Sequence, residues 1–140
     1  MPEPFTLEVH TPHRLFFSEK VRSLVAPLID GEAGILINHA PFTAPLATGI
    51  LKIQDQHGNW KEAFITEGIL EVKTHKTVLL VEAAEWPDEI DEQGAQTAKD
   101  DAEETLKTRI LKFETATAKA KLKRAHMRLK AVSRSKTKQN

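Results

Sequence analysis

Residues 50–81 read ILKIQDQHGNWKEAFITEGILEVKTHKTVLLV, and the fold class turns on this stretch. Ile50–Ile53 and Trp60–Ile65 flank Gln56-His57-Gly58-Asn59, a run of turn formers, so the two segments pair as a hairpin. Ile69–Val72 and Thr77–Val81 flank Thr74-His75-Lys76 in the same way. Further out, Phe5-Thr6-Leu7-Glu8-Val9 alternates with period two, which predicts one buried face. Val21–Leu28 and Gly34–Ile37 are further strand candidates. Short strands at close spacing predict an antiparallel β-sandwich or barrel, and no helix-period segment interrupts them to build a parallel α/β sheet. Glycines 31, 34, 49, 58 and 68 all fall in this region, with Gly94 the exception.

Pro87 marks a change of regime. Asp88 is placed to cap a helix, and the acidic first turn suits the positive end of the helix dipole. Ile90, Ala95, Ala98, Ala102 and Leu106 then fall near one helical face, and Ala118, Leu122, Ala125, Leu129 and Val132 form a second stripe. No Gly or Pro separates the stripes, and Thr105, Thr108, Thr115 and Thr117 are the weak helix formers of the join. Two arrangements are open: a hairpin with a soft turn near Phe113–Thr117, or one long helix. The expected class is α+β, with a β-sandwich domain over 1–87, two helices over 88–133 as hairpin or arm, and a disordered tail over 134–140 that lacks an apolar face.

The overall charge of zero hides a segregation. Asp88–Glu104 holds eight carboxylates and one base, net −7; Thr105–Asn140 holds twelve bases and one carboxylate, net +11; Met1–Pro87 carries −4. Blocks of one sign create a field that mixing would cancel, so they speak about partners. No apolar run reaches the roughly 20 residues that span a bilayer. Met1-Pro2-Glu3-Pro4 lacks the basic and apolar regions of a secretory signal, which predicts an uncleaved cytosolic chain. The chain has no cysteine, which excludes disulfides and thiolate chemistry.

One stretch is more specific. Asp30-Gly31-Glu32-Ala33-Gly34-Ile35-Leu36-Ile37-Asn38-His39-Ala40-Pro41, continuing through Leu46 to Gly49-Ile50-Leu51, resembles the DGE-x-GIL-x-x-HAP … L-x-x-G-x-L signature of the epsilon subunits of rotary F-type ATP synthases. Phe64-x-x-x-Gly68-x-x-Glu71-Val72, the Thr77–Val81 strand, Ile90-Asp91 and Arg124-Ala125-x-x-x-Arg128-Leu129-Lys130-Ala131-Val132 follow in the same register, so the resemblance covers about residues 5 to 132.

The resemblance implies a ten-stranded β-sandwich with two C-terminal helices, in a non-catalytic rotor-stalk subunit that couples ion flow through the c-ring to rotation and ATP synthesis. The implied partners are the gamma subunit, the c-ring and the catalytic alpha and beta subunits. The implied location is peripheral, on the cytoplasmic face of the cell membrane or the equivalent thylakoid or organelle face. By position, Asp30, Gly31, Glu32 and Gly34 match the c-ring-facing loop, and His39, Ala40, Pro41 and Phe42 match the gamma-facing segment. Lys121, Lys123, Arg124, Arg128 and Lys130 match the basic arm whose extended form blocks ATP hydrolysis. Many relatives of this kind bind ATP through an (I/L)-D-x-x-R-A motif and two arginines of the last helix. Here Glu85, Asp91, Arg124 and Arg128 remain, but Gly94 stands in place of the motif arginine. Loss of one charged donor costs on the order of 1.5–3 kcal/mol, so weak or absent ATP binding is expected, and no other cofactor.

Other chemistries find less support. The six histidines (10, 13, 39, 57, 75, 126) form no HExxH motif and have no cysteine partner, so no metal site is expected. The Gly31-Glu32-Ala33-Gly34 loop lacks the Lys-Thr/Ser of a phosphate cradle, and no serine lies in a nucleophile motif. Glu85, Asp88, Glu89 and Asp91 read as a solvated helix N-terminus rather than an acid/base pair. Trp60 and Trp86 read as sandwich core or hinge packing. The competing class is a basic-tailed nucleic-acid-binding module. Against it stand the adjacent −7 block, which repels a polyanion, and Phe113 as the lone aromatic of the basic segment.

Overall fold

In a computed structural model that describes residues 3–37, 39–108 and 112–139, the chain forms two compact units, Met1–Trp86 and Pro87–Asn140. The first is all β: β1 (Phe5–His10), β2 (Leu15–Leu28), β3 (Gly31–Leu36), β4 (Phe42–Leu46), β5 (Gly49–Asp55), β6 (Trp60–Ile65), β7 (Gly68–Lys73), β8 (Lys76–Val81) and β9 (Ala84–Glu85). The strand order is β1-β8-β7-β4-β2-β5-β6-β9, with β3 on β2 and a further β1–β2 pairing that folds the sheet onto itself.

The described residues thus hold nine strands rather than ten. One reason is β2, a single 14-residue strand that serves two neighbourhoods. Its first half pairs with β1, from Leu15↔His10 to Val21↔Phe5, and its second half pairs with β3 and β5. Sequence reading caught only that second half. It also missed β4, whose Pro45 argues against a strand. Proline is tolerated because β4 is bonded fully to β7 and meets β2 only at Leu28↔Leu46, leaving little of its other edge in use. The pairing is antiparallel apart from β1–β8, a parallel pair that the long intervening chain permits.

The predicted alternation in β1 holds: Phe5, Leu7 and Val9 are buried, and join Leu24, Leu51, Ile53, Ile65, Leu70 and Leu79 in the core. On its outer face Glu8 lies 2.8 Å from His10 Nε2 and 3.0 Å from Lys76 Nζ. These hydrogen bonds, from His10 first and Lys76 second, hold the Glu8 carboxyl below its ordinary range. The 56–59 turn closes as expected. Asp55 Oδ1 accepts from the Asn59 and His57 amides at 2.9 and 2.8 Å, which holds that carboxyl low as well. Trp60 departs from expectation, since it stands 47% exposed on β6. Trp86 is packed, with its ring stacked on Phe16 at 4.6 Å and edge-on to Phe17 at 6.1 Å.

The second unit begins with a 3-10 turn at Pro87–Glu89, followed by α1 (Glu92–Thr108) and α2 (Lys112–Gln139). The cap is Asp91 rather than Asp88: its Oδ1 accepts from the Gly94 amide at 3.0 Å, while Asp88 falls inside the 3-10 turn. The helices pack on each other as a hairpin. Among the described residues, Ala95 and Ala102 of α1 and Ala118, Ala125, Ala131 and Val132 of α2 are buried. The turn is not at Phe113–Thr117, which lie inside α2; residues 109–111 fall outside the described residues. The tail expected to be disordered from 134 continues α2 as far as Gln139, while Asn140 falls outside the described residues. Arg, Lys and Gln are good helix formers, bases suit a helix C-terminus, and Lys136 gains a partner in Glu92 at 3.0 Å.

Candidate functional site

The Asp30–Gly34 loop is the turn of the β2–β3 hairpin. Leu28 pairs with Gly31, so Ile29 and Asp30 form the tip. Neither has a positive φ; Gly31 takes it, at +126°, which relieves the turn as a Cβ-bearing residue would not. Glu32 is exposed, and one oxygen lies 3.6 Å from Lys52 Nζ on β5. Gly34 has open space where a side chain would stand, so its space is not filled by the fold.

His39, Ala40, Pro41 and Phe42 lead from that hairpin into β4. The His39 ring lies 4.9 Å from the Phe42 ring, and its Nδ1 lies at hydrogen-bond distance, 3.0 Å, from the Ala40 carbonyl. Phe42 packs against the core while His39, Ala40 and Pro41 stay exposed. The segment is therefore a presented surface anchored by one aromatic.

On α2, Lys121, Lys123 and Lys130 are exposed, whereas Arg124 and Arg128 are half-buried. The Nε of Arg124 is buried and has no hydrogen-bond partner. Near the start of α1, a Cβ built at Gly94 would collide with the Asp91 carboxylate, whose Cγ would be 2.8 Å away. Glu85 lies in β9, opposite Phe64 of β6, in the other unit. Sequence reading did not single out Ile29 or Lys136. Ile29 is visible only as an apolar residue in a turn, and Lys136 was lost to the tail.

Residues 4–87 match the beta-sandwich domain of the ATP synthase delta/epsilon chain, and 88–133 match its long alpha-helix domain. The chain belongs to the ATP synthase delta/epsilon chain family. A relative, the ATP synthase epsilon chain of Caldanaerobacter subterraneus subsp. tengcongensis, is 46% identical over 135 residues, covering 96% of this chain and 97% of that one. The epsilon chain of Caldicellulosiruptor bescii is 44% identical over 132 residues, 94% and 96% of the two chains. Among solved structures, a chain of the Euglena gracilis mitochondrial ATP synthase, from an assembly that includes the c-ring, aligns with a TM-score of 0.78. That alignment has 21% identity and covers 88% of this chain and 78% of that one, so it speaks for the fold.

Proposed function

We propose that this member of the delta/epsilon family is a non-catalytic central-stalk subunit of a rotary F-type ATP synthase. It couples c-ring rotation to ATP synthesis, and its C-terminal helices serve as an arm that restrains ATP hydrolysis. The observation that carries the reading is the match of both units, in order, to the two successive domains of one family, with epsilon-chain relatives spanning nearly the full length. On this reading Asp30, Gly31, Glu32 and Gly34 face the c-ring and His39–Phe42 face the gamma subunit. The exposed Lys121, Lys123 and Lys130, with Arg124 and Arg128, meet an acidic surface of the catalytic subunits. Charge complementarity there steers and orients the arm. The subunit is peripheral, on the cytoplasmic face of the cell membrane or its organelle equivalent; no described helix is long and apolar enough to cross a membrane.

The same reading gives this chain little affinity for ATP. The family's motif arginine is Gly94, so one charged donor to the nucleotide is missing, and the Asp91 carboxylate is engaged as the cap of α1. Calorimetric titration of the full chain with MgATP is expected to show no micromolar binding; micromolar affinity refutes this part. The arm itself is tested by truncating after Pro87 and measuring ATPase activity of the assembled enzyme. Hydrolysis is expected to rise, and unchanged activity argues against restraint while leaving the coupling role intact.

A further inference from the structure

Six large apolar side chains are exposed among the described residues: Leu15, Ile29, Leu36, Trp60, Ile69 and Leu80. Five of them sit in strands, where branched and aromatic residues suit the extended backbone. Ile29 does not. It is the most exposed of the six, at 67%, and it occupies the tip of the β2–β3 turn, a position served by Asp, Ser, Asn, Pro or Gly. Isoleucine there adds nothing to the turn, whose positive φ is carried by Gly31, and it buries little of itself.

The tip is held firmly. Ala47 donates to the Pro27 carbonyl at 2.8 Å, Leu28 pairs with Leu46, and Gly49 leaves room for the Pro27 ring, which a Cβ would meet at 2.9 Å. Ile29 is thus presented on a braced hairpin. Its setting is acidic. Register runs from Leu28 to Leu46, to Gly68, to Val81, so the turns beside those residues share one edge of the sheet. The Thr66–Ala83 bonds, at 3.0 and 2.8 Å, tie two of the turns together. Asp30, Glu32, Glu67 and Glu82 are exposed along that edge. Among the described residues Lys52, 3.6 Å from Glu32, and Arg14, which donates to the Ala84 carbonyl at 3.1 Å, reach it.

We infer that Ile29 is an apolar anchor for the stalk-facing surface of the c-ring, seating in an apolar depression whose rim carries cations that meet Asp30 and Glu32. The inference rests on the reading that the 30–34 loop faces the c-ring, and it is continuous with that loop. It changes the character of the contact. A purely charged loop gives steering and salt sensitivity, whereas a central apolar anchor gives residence time.

The test uses the full-length chain in complex with its gamma subunit, titrated onto c-rings in lipid nanodiscs, with empty nanodiscs of the same lipid alongside. Ile29→Ser is expected to weaken binding about tenfold, with the melting temperature unchanged because the side chain supports nothing in the fold. Ile29→Leu, which keeps the apolar volume, is expected to bind within about twofold of the parent. If Ile29→Ser binds as the parent does while Glu32→Lys weakens binding, the anchor is refuted and the loop assignment stands. If both variants bind as the parent does, the anchor and the loop assignment fall together. Equal binding to empty nanodiscs, lost in Ile29→Ser, assigns the side chain to lipid and overturns the proposal.

Discussion

The β unit and the helical unit of this chain are stabilised on different scales. In the β unit Leu7, Leu24, Leu51, Ile53, Ile65, Leu70 and Leu79 are fully buried, each contributing several methyl and methylene groups to one core. Among the described residues of the helical unit the buried set is Ala95, Ala102, Ala118, Ala125 and Ala131, with Ile90 and Val132 as its larger members. Burial stabilises in proportion to apolar area, about 0.8 kcal/mol per buried CH₂, so an alanine seam supplies a fraction of what a leucine core does. The helices themselves need less help, since Ala, Lys, Arg, Glu and Gln dominate them and are strong helix formers. The combination is secondary structure that persists with tertiary pairing that is shallow.

The sharpest way to break this contrast is to cut into the core. Leu79, fully buried on β8, is central to it. Leu79→Ala is expected to cost about 2–5 kcal/mol. Denaturant unfolding followed by tryptophan fluorescence reports it selectively, because Trp86 stacks on Phe16 and Trp60 lies on β6, both within the β unit. Ellipticity at the helix wavelength is expected to unfold with its midpoint unchanged. If both signals shift together, the two units are one cooperative body and the contrast fails.

A smaller effect is expected in the seam. Ala125 is 1% exposed on α2, so a larger side chain there must displace its neighbours. Ala125→Leu adds volume where none is free and is expected to cost the pairing about 1–3 kcal/mol, while leucine keeps the helix itself intact. Distance measurement between labels on the two helices is expected to show separation with little loss of ellipticity. An unchanged distance means that the seam has slack and does not set the pairing.

What the sequence made legible follows the same divide. Strands betray themselves by alternation and turn residues, so β1, β5, β6, β7 and β8 were readable, and the 30–34 loop was recognisable by its residues. The first half of β2 was not, because Phe16 and Phe17 are both buried and break the alternation. β4 hid behind Pro45. In the helices, alanine stripes mark which face is inward, but no Gly or Pro marks the join, and the weak helix formers Thr115 and Thr117, near which a turn is expected, lie inside α2. The cap moved from Asp88 to Asp91 because Pro87 began a 3-10 turn first. The tail was judged by its missing apolar face, a criterion that ignores what a single ion pair and good helix formers do for the last turns of an existing helix.

That ion pair gives the finest test of the contrast. Lys136 Nζ lies 3.2 and 3.0 Å from the two carboxylate oxygens of Glu92, joining the end of α2 to the start of α1. The two residues are 44 apart in sequence. In one continuous helix that separation is about 66 Å, so the pair exists only in the hairpin. Both side chains are more than half exposed, at 64% and 53%, so the pair is worth about 0.2–1 kcal/mol and is screened by salt. Single reversals, Glu92→Lys or Lys136→Glu, each also place the wrong sign at a helix end. Each single also sets two like charges against each other, while the double reversal keeps both dipole penalties and restores an opposite pair, so the cycle measures the charge coupling of the two positions, attraction and repulsion together. The chain has no cysteine, so Thr97→Cys and Ser133→Cys give two unambiguous labels, one on each helix. At low salt the hairpin population of the double variant is expected to exceed that predicted from the two singles, by about twofold to fivefold. At about 0.5 M salt the excess is expected to shrink toward none. An excess that persists undiminished in salt means that something other than charge couples these ends, and no excess at low salt means that the seam alone holds the hairpin.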